Sequence, residues 1–433
     1  MYFLYNIILW LAMPFIVSYH LYRSVSRGRK PAFAERFGSI PKERLAGLER
    51  GKTVWVHAVS VGETIAAKPL LKALKISFPG IRIVLSNVTE TGRSIAEKTA
   101  EVDHCVYFPF DYVFTAKRAL KQVSPMLVIV VETEIWPNFL RSAKRLGIPA
   151  VLVNGRISDR SFGRYLRFRW FFRPVLSNFT SICMQTAEDA RRIIAIGAEP
   201  ARVHVAGNLK FDITVTAPSL EKKSALRAGY RIPGGVKIIT AGSTHAGEEE
   251  TVLSAYQRLL TKGREFFLVL APRHPERAGQ VAEILGSFGF KFTLRSSLEQ
   301  REEEFRPGEV LLVDTVGELM GLYSISDLVF IGGSFAQTGG HNILEPASLG
   351  VPVLFGPHMH NFRESAALLL ACGGGYQAKD GEELTTLITR LLDDPVERQA
   401  MGTNGMRCLL ENGGATDMQM EVIKKIVKAG SRF

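Results

Sequence analysis

The chain has 433 residues, too many for one ordinary core and suited to two domains of roughly 150–200 residues each. Hydrophobic residues at 46% and charged residues at 22% exclude global disorder and collagen-like repetition, and no period of solenoid length occurs. With 54 Lys and Arg against 42 Asp and Glu the formal charge is +12, which calls for an anionic partner: nucleic acid, acidic lipid or a phosphorylated substrate.

Residues 1–22 contain no Asp, Glu, Lys or Arg, and as a helix would extend about 33 Å, enough to reach across a hydrocarbon core. Tyr2, Tyr5, Trp10, Tyr19 and Tyr22 put amphipathic rings near its expected interfaces. Arg23, Arg27, Arg29 and Lys30 follow at once, so the positive-inside rule leaves the rest of the chain cytoplasmic. Bases after the apolar run, and no small-residue cleavage site, argue against a secretory signal. Pro14 leaves two placements open, a span or shallow embedding in one leaflet.

Beyond this anchor, β-rich runs alternate with helical stretches, the rhythm of βαβ units and parallel sheets. Strands are expected at Val54–Ala58, Ile81–Ser86, Leu127–Val131, Ala150–Val153 and Ser181–Met184, with helices such as Ile65–Ser77 and Glu188–Ile196 between them. In the second half they are expected at Val236–Ala241, Phe266–Leu270, Glu309–Val313, Leu328–Ile331 and Pro352–Phe355. The polar segment Phe211–Lys223 reads as a linker. The expected fold is therefore α/β, two doubly wound domains facing a cleft: an anchor over 1–22, a first domain over 23–210, a linker over 211–223 and a second domain over 224–433.

Ligands of open α/β sheets bind beyond the carboxyl ends of the strands, so chemistry is sought there. The first strand runs into Ser60-Val-Gly-Glu63, where the carboxylate is either a general base or half of a capping box. Glu132-Thr-Glu134 follows a wholly apolar strand, where two carboxylates are costly unless used or paired; an acidic helix start is the alternative. Lys210, in Gly207-Asn-Leu-Lys-Phe-Asp212, could counter a carboxylate or phosphate.

In the second half, Pro272-Arg273-His274 leaves a strand and opens a helix, a setting that suits a phosphate. Asp314-Thr-Val-Gly317-Glu318 repeats that design. Gly332-Gly333-Ser334 and Gly339-Gly340-His341-Asn342-Ile-Leu-Glu345 surround a loop where glycine lets a ligand approach the backbone. Three such loops point to a nucleotide site, and without GxxxxGK[ST] or an opening GxGxxG it is neither a P-loop nor a simple dinucleotide fold.

His57, His245 and His274 show no metal-binding spacing, and no metal or cofactor is expected. Cys105, Cys183, Cys372 and Cys408 form no CxxC pair and read as small buried apolar residues. Between Arg156 and Arg173 six arginines interleave with Phe162, Tyr165, Phe168, Trp170, Phe171 and Phe172. RNA stacking and a solvated helix face both fit this stretch, but beside an anchor an acidic-lipid surface fits better.

Together these strings resemble the 3-deoxy-D-manno-octulosonic acid (Kdo) transferases, a GT-B glycosyltransferase family. The resemblance rests on Arg27-Gly-Arg-Lys30, His57-Ala-Val-Ser-Val-Gly-Glu63, Glu132-Thr-Glu-Ile-Trp-Pro-Asn138, Gly207–Asp212, Ser243-Thr-His-Ala-Gly-Glu-Glu249, Pro272–Arg277, Gly317–Met320 and Gly340–Glu345. It implies inverting transfer of Kdo from CMP-Kdo to a tetraacylated lipid A precursor, for lipopolysaccharide, at the cytoplasmic face of the inner membrane. It also implies Glu63 as general base and Glu132 and Lys210 as transition-state stabilisers. Pro272, Arg273, Val316, Gly317, Glu318, Asn342, Ile343, Leu344 and Glu345 would line the CMP site, with no nucleic-acid partner. The rival readings are another GT-B enzyme of lipid-linked sugars, such as lipid A disaccharide synthase, and a non-catalytic tether for RNA or acidic lipid.

Overall fold

The computed structural model describes residues 1–26, 32–49, 51–212 and 218–430, and the chain divides into two compact units. Met1–Asp212 with Asn412–Phe433 forms the first, and Ile213–Glu411 the second.

In the first unit the strands are β1 (Thr53–His57), β2 (Arg82–Asn87), β3 (His104–Tyr107), β4 (Leu127–Val131), β5 (Ala150–Gly155), β6 (Ser181–Met184) and β7 (Val203–Val205). They form one parallel sheet in the order β3-β2-β1-β4-β5-β6-β7. All five residues of β4 are buried, as expected of a strand covered on both faces. Alternate residues then feed two cores. Trp55, Val84 and Val128 join Phe139 on one side, while Val54, Ile83 and Ile129 join Leu70 and Leu74 on the other.

The second unit repeats the plan with β8 (Lys237–Thr244), β9 (Phe266–Pro272), β10 (Phe292–Leu294), β11 (Val310–Leu312), β12 (Leu328–Ile331), β13 (Val353–Phe355) and β14 (Gly375–Gln377). Their order is β10-β11-β9-β8-β12-β13-β14, again parallel. In each sheet the winding reverses beside the first strand, between β1 and β4 and between β8 and β12. Doubly wound sheets bind ligands at such reversals.

Several boundaries differ from those expected. Leu220–Gly229 is a helix, so the connection between the units is shorter than Phe211–Lys223; residues 213–217 lie outside the described residues. The last helix, Ala415–Gly430, belongs to the first unit and not to a second domain ending at 433. Its Ala415, Met420 and Ile423 enter the core around Leu70 and Leu74. The apolar start is a helix from Tyr2 to Ser26, continuous through Pro14, and Arg27–Lys30 lie outside the described residues. None of the four cysteines is in a disulfide; Cys183 and Cys408 are buried, and Cys105 and Cys372 are half-buried.

Candidate active site

At the end of β1 the helix Val61–Ser77 begins earlier than its apolar pattern indicates, which places Glu63 in the first turn. Ser60 is the N-cap, its backbone extended and its Oγ facing the Glu63 N–H. The Glu63 carboxylate reaches back, accepting from the Val59 N–H at 2.6 Å and the Ser60 hydroxyl at 3.0 Å. The capping geometry thus forms, in a variant that uses the residue before the cap. The same carboxylate is buried, and this burial, with the Glu132 and Glu134 charges adding to it, pushes its pKa up to about 7.

Glu132 leaves β4 with φ +59, a left-handed conformation uncommon for a residue with a side chain. Its N–H donates to the Val153 carbonyl at 2.9 Å, and its Oε1 lies 3.1 Å from Lys210 Nζ. The acidic-helix-start alternative does not hold here. The helix Pro137–Arg145 has no acid in its first turn, and Asp111 caps it instead, accepting from Asn138 N–H at 3.0 Å and Phe139 N–H at 2.7 Å.

Lys210 sits in a turn held from two directions. Asn208 Oδ1 accepts the Lys210 N–H at 3.0 Å, and Asn154 Oδ1 accepts the Leu209 N–H at 2.9 Å. Asn154 is itself buried at φ +55, its N–H donating to Gln419 Oε1 at 3.1 Å and its carbonyl accepting from Gln185 Nε2 at 3.0 Å. Asp212 accepts from the N–H groups of Gly414, Ala415 and Thr416, capping the final helix. Asn154, Gln185 and Gln419 were not among the expected site residues. Only the Asn154-Gly155 pair at a strand end offered a signal.

In the second unit the expected residues follow β9, β11 and β12. Pro272 ends β9, and the Arg273 N–H donates to the Thr244 carbonyl at 2.9 Å while its side chain is exposed. Arg277 is committed elsewhere, gripping the buried Glu249 at 2.9 and 3.4 Å. Val316 is exposed and Gly317 adopts φ +94. The Glu318 carboxylate accepts from Thr315 Oγ1, Tyr230 Oη and Arg295 Nε, so that turn offers a ligand its main chain. Asn342 Oδ1 accepts the Leu344 N–H and its Nδ2 donates to Glu345 Oε1, both at 3.1 Å. Ile343 and Leu344 are fully buried, so their side chains serve the core and only their backbone can meet a nucleotide.

Two groups outside the expected set organise this region. Glu248, almost wholly buried, accepts from the N–H groups of Gly333, Ser334, Phe335 and Ala336, and from that of His245. A carboxylate thus fills a backbone nest and fixes the glycine loop after β12. His245 and His341 lie with Nε2 atoms 2.8 Å apart, which requires one ring to donate and the other to accept. Burial, with the nearby Arg273 charge, lowers the His341 pKa to about 4. His57 has a structural place: fully buried, it lies 3.8 Å from the Phe108 ring centre with Nδ1 beside Ser86.

Residues 31–213 match the family model for 3-deoxy-D-manno-octulosonic-acid transferase (kdotransferase). A 3-deoxy-D-manno-octulosonic acid transferase of Haemophilus influenzae is 34% identical, the alignment covering 98% of each chain. Among solved structures, a UDP-GlcNAc 2-epimerase from Neisseria meningitidis is similar with TM-score 0.55 at 16% identity, over 86% of this chain and 100% of that one. MurG of Acinetobacter baumannii is similar with TM-score 0.51 at 14% identity, over 86% and 99%. These two likenesses establish the fold alone, the GT-B architecture expected from the sequence.

Proposed function

The chain belongs to the 3-deoxy-D-manno-octulosonic acid transferase family, and on that premise we propose that it transfers Kdo from CMP-Kdo to a tetraacylated lipid A precursor, with inversion, during lipopolysaccharide synthesis at the inner membrane. The observation that carries the mechanism is Glu63: a buried carboxylate with a pKa near 7, held in place by the Val59 N–H at a winding reversal of the sheet. A base of that strength is matched to a hydroxyl proton at neutral pH.

The acceptor hydroxyl gives its proton to Glu63 as its oxygen bonds to the ketosidic carbon. On the opposite face the bond from that carbon to the phosphate oxygen breaks, and CMP departs with the electron pair. The carbon gains oxocarbenium character on the way. Glu132 supplies negative charge to that centre, and Lys210, whose Nζ is 3.1 Å from Glu132 Oε1, answers the acid group of the sugar. Arg273 and the main chain of the Val316–Glu318 turn receive the CMP phosphate. Asn342 and Glu345 offer polar groups to the nucleoside, with the backbone of Ile343 and Leu344 between them.

Glu63→Gln tests the base directly, because the amide oxygen can still accept the Val59 N–H. Turnover should fall about 10²–10⁴-fold with CMP-Kdo affinity unchanged. Near-normal turnover would remove Glu63 from the role. Competition by CMP and not by UDP separates this reading from other GT-B enzymes of lipid-linked sugars. A non-catalytic tether would be indifferent to the Glu63 substitution altogether.

A further inference from the structure

The N-terminal helix is long and apolar enough to cross a membrane, yet it lies against the first unit along most of its length. Half-buried residues recur every three or four positions from Met1 to His20, a stripe about 28 Å long. Polar bonds fasten that stripe. Asn178 Nδ2 donates to Tyr2 Oη at 2.9 Å, Tyr5 Oη donates to Asp111 Oδ2 at 2.8 Å, and Tyr112 Oη donates to the Leu9 carbonyl at 2.7 Å. Asn6 and Asn138 exchange amide bonds at 2.9 and 3.4 Å. Towards the far end, the His20 ring is 5.3 Å from that of Phe110.

A helix standing along the bilayer normal would carry Asp111, Asn138 and Asn178 into hydrocarbon if it kept these partners. If it detached, it would give up five hydrogen bonds. Either course is costly where no water replaces them. The opposite face is bare and apolar. Phe3, Ile8, Leu11 and Phe15 are exposed, the last at 78%. The face continues onto the unit: Trp10 lies 6.1 Å from the exposed Phe114, and Tyr5 lies 5.7 Å from Phe171, which neighbours the exposed Trp170. Arg160, Arg164, Arg167, Arg169 and Arg173 are exposed on the two helices that carry Trp170 and Phe171 or lead into them. Apolar residues edged by aromatic rings and guanidinium groups match one leaflet, with acyl chains under the face and anionic headgroups at its rim.

We propose that Tyr2–Ser26 is an in-plane anchor, sunk into one leaflet on its bare side and fastened to the first unit on the other, so that the N-terminus stays on the same side of the membrane as the rest of the chain. The proposal rests on the membrane attachment read above. It also gives Asp111 a second task, docking the anchor through Tyr5 while capping the helix Pro137–Arg145.

The test uses the full chain with an N-terminal epitope tag, bound to sealed vesicles of phosphatidylethanolamine and phosphatidylglycerol with the folded units outside. External protease should remove the tag as completely as it does after detergent opens the vesicles. A tag protected until detergent is added means a crossing helix and overturns the proposal while leaving attachment intact. Failure of the chain to float with the vesicles overturns attachment itself, including the case of a second copy covering the face. Phe15→Glu should lower vesicle binding at least ten-fold with an unchanged melting temperature, whereas unchanged binding would show that the bare face is not the contact.

Discussion

Glu63 answers to two demands at once, and they do not conflict. Its capping bonds orient the carboxylate, and burial raises its proton affinity. Only the ionised form can accept the acceptor's proton, so kcat/KM should fall about ten-fold per unit as pH drops below about 7 and level off above it. A profile flat from pH 5 to 8 would contradict that assignment, and in Glu63→Gln this limb should vanish. The spacing Ser60-x-x-Glu63 made the capping bonds legible, because they depend on residues within one helical turn, whereas the raised proton affinity behind the proposed base depends on burial and on the distant Glu132 and Glu134. The role of Asn154 was not legible. It depends on Leu209, Gln185 and Gln419, which are brought to it only by the assembled sheet and the returning final helix.

At the scale of elements, Glu248 decides the shape of the glycine loop. Four successive backbone donors, Gly333 to Ala336, converge on one carboxylate 85–88 residues earlier in the chain. Glu248→Gln sets an amide NH₂ against these N–H groups and should destabilise the second unit by about 2–4 kcal/mol. CMP binding should weaken with it, since His341–Glu345 follow the loop. Thermal melting and CMP titration check both effects, and an unshifted melt would refute the nest. The sequence displayed Ser243–Glu249 as a motif without revealing this contact. Central strands were easier to read: Leu127–Val131, Ser181–Met184 and Leu328–Ile331 fall where their apolar runs place them. The four unanticipated strands, His104–Tyr107, Val203–Val205, Phe292–Leu294 and Gly375–Gln377, are the four sheet edges. Each has three or four residues and is less completely buried than the central strands, so no long apolar run marks it.

For the whole molecule, the first unit is completed by both ends of the chain. The apolar N-terminal helix docks on it, and Ala415–Gly430 returns to its core after the second unit has been built. Gln419→Ala should therefore affect Lys210 and Glu132 from a distance. Asn154 loses an acceptor, the Lys210 turn loosens, and turnover should fall about ten-fold, against no change in CMP affinity. A loss of CMP binding instead would mean that the final helix serves the second unit. The reaction itself is read by incubating the purified full chain with CMP-Kdo and tetraacylated lipid A precursor and weighing the lipid by mass spectrometry. A gain of one or more whole Kdo units is expected, its rate lowered about 10²–10⁴-fold by Glu63→Gln; an unchanged lipid, with intact donor and folded protein, would mean that the chain does not carry out this transfer.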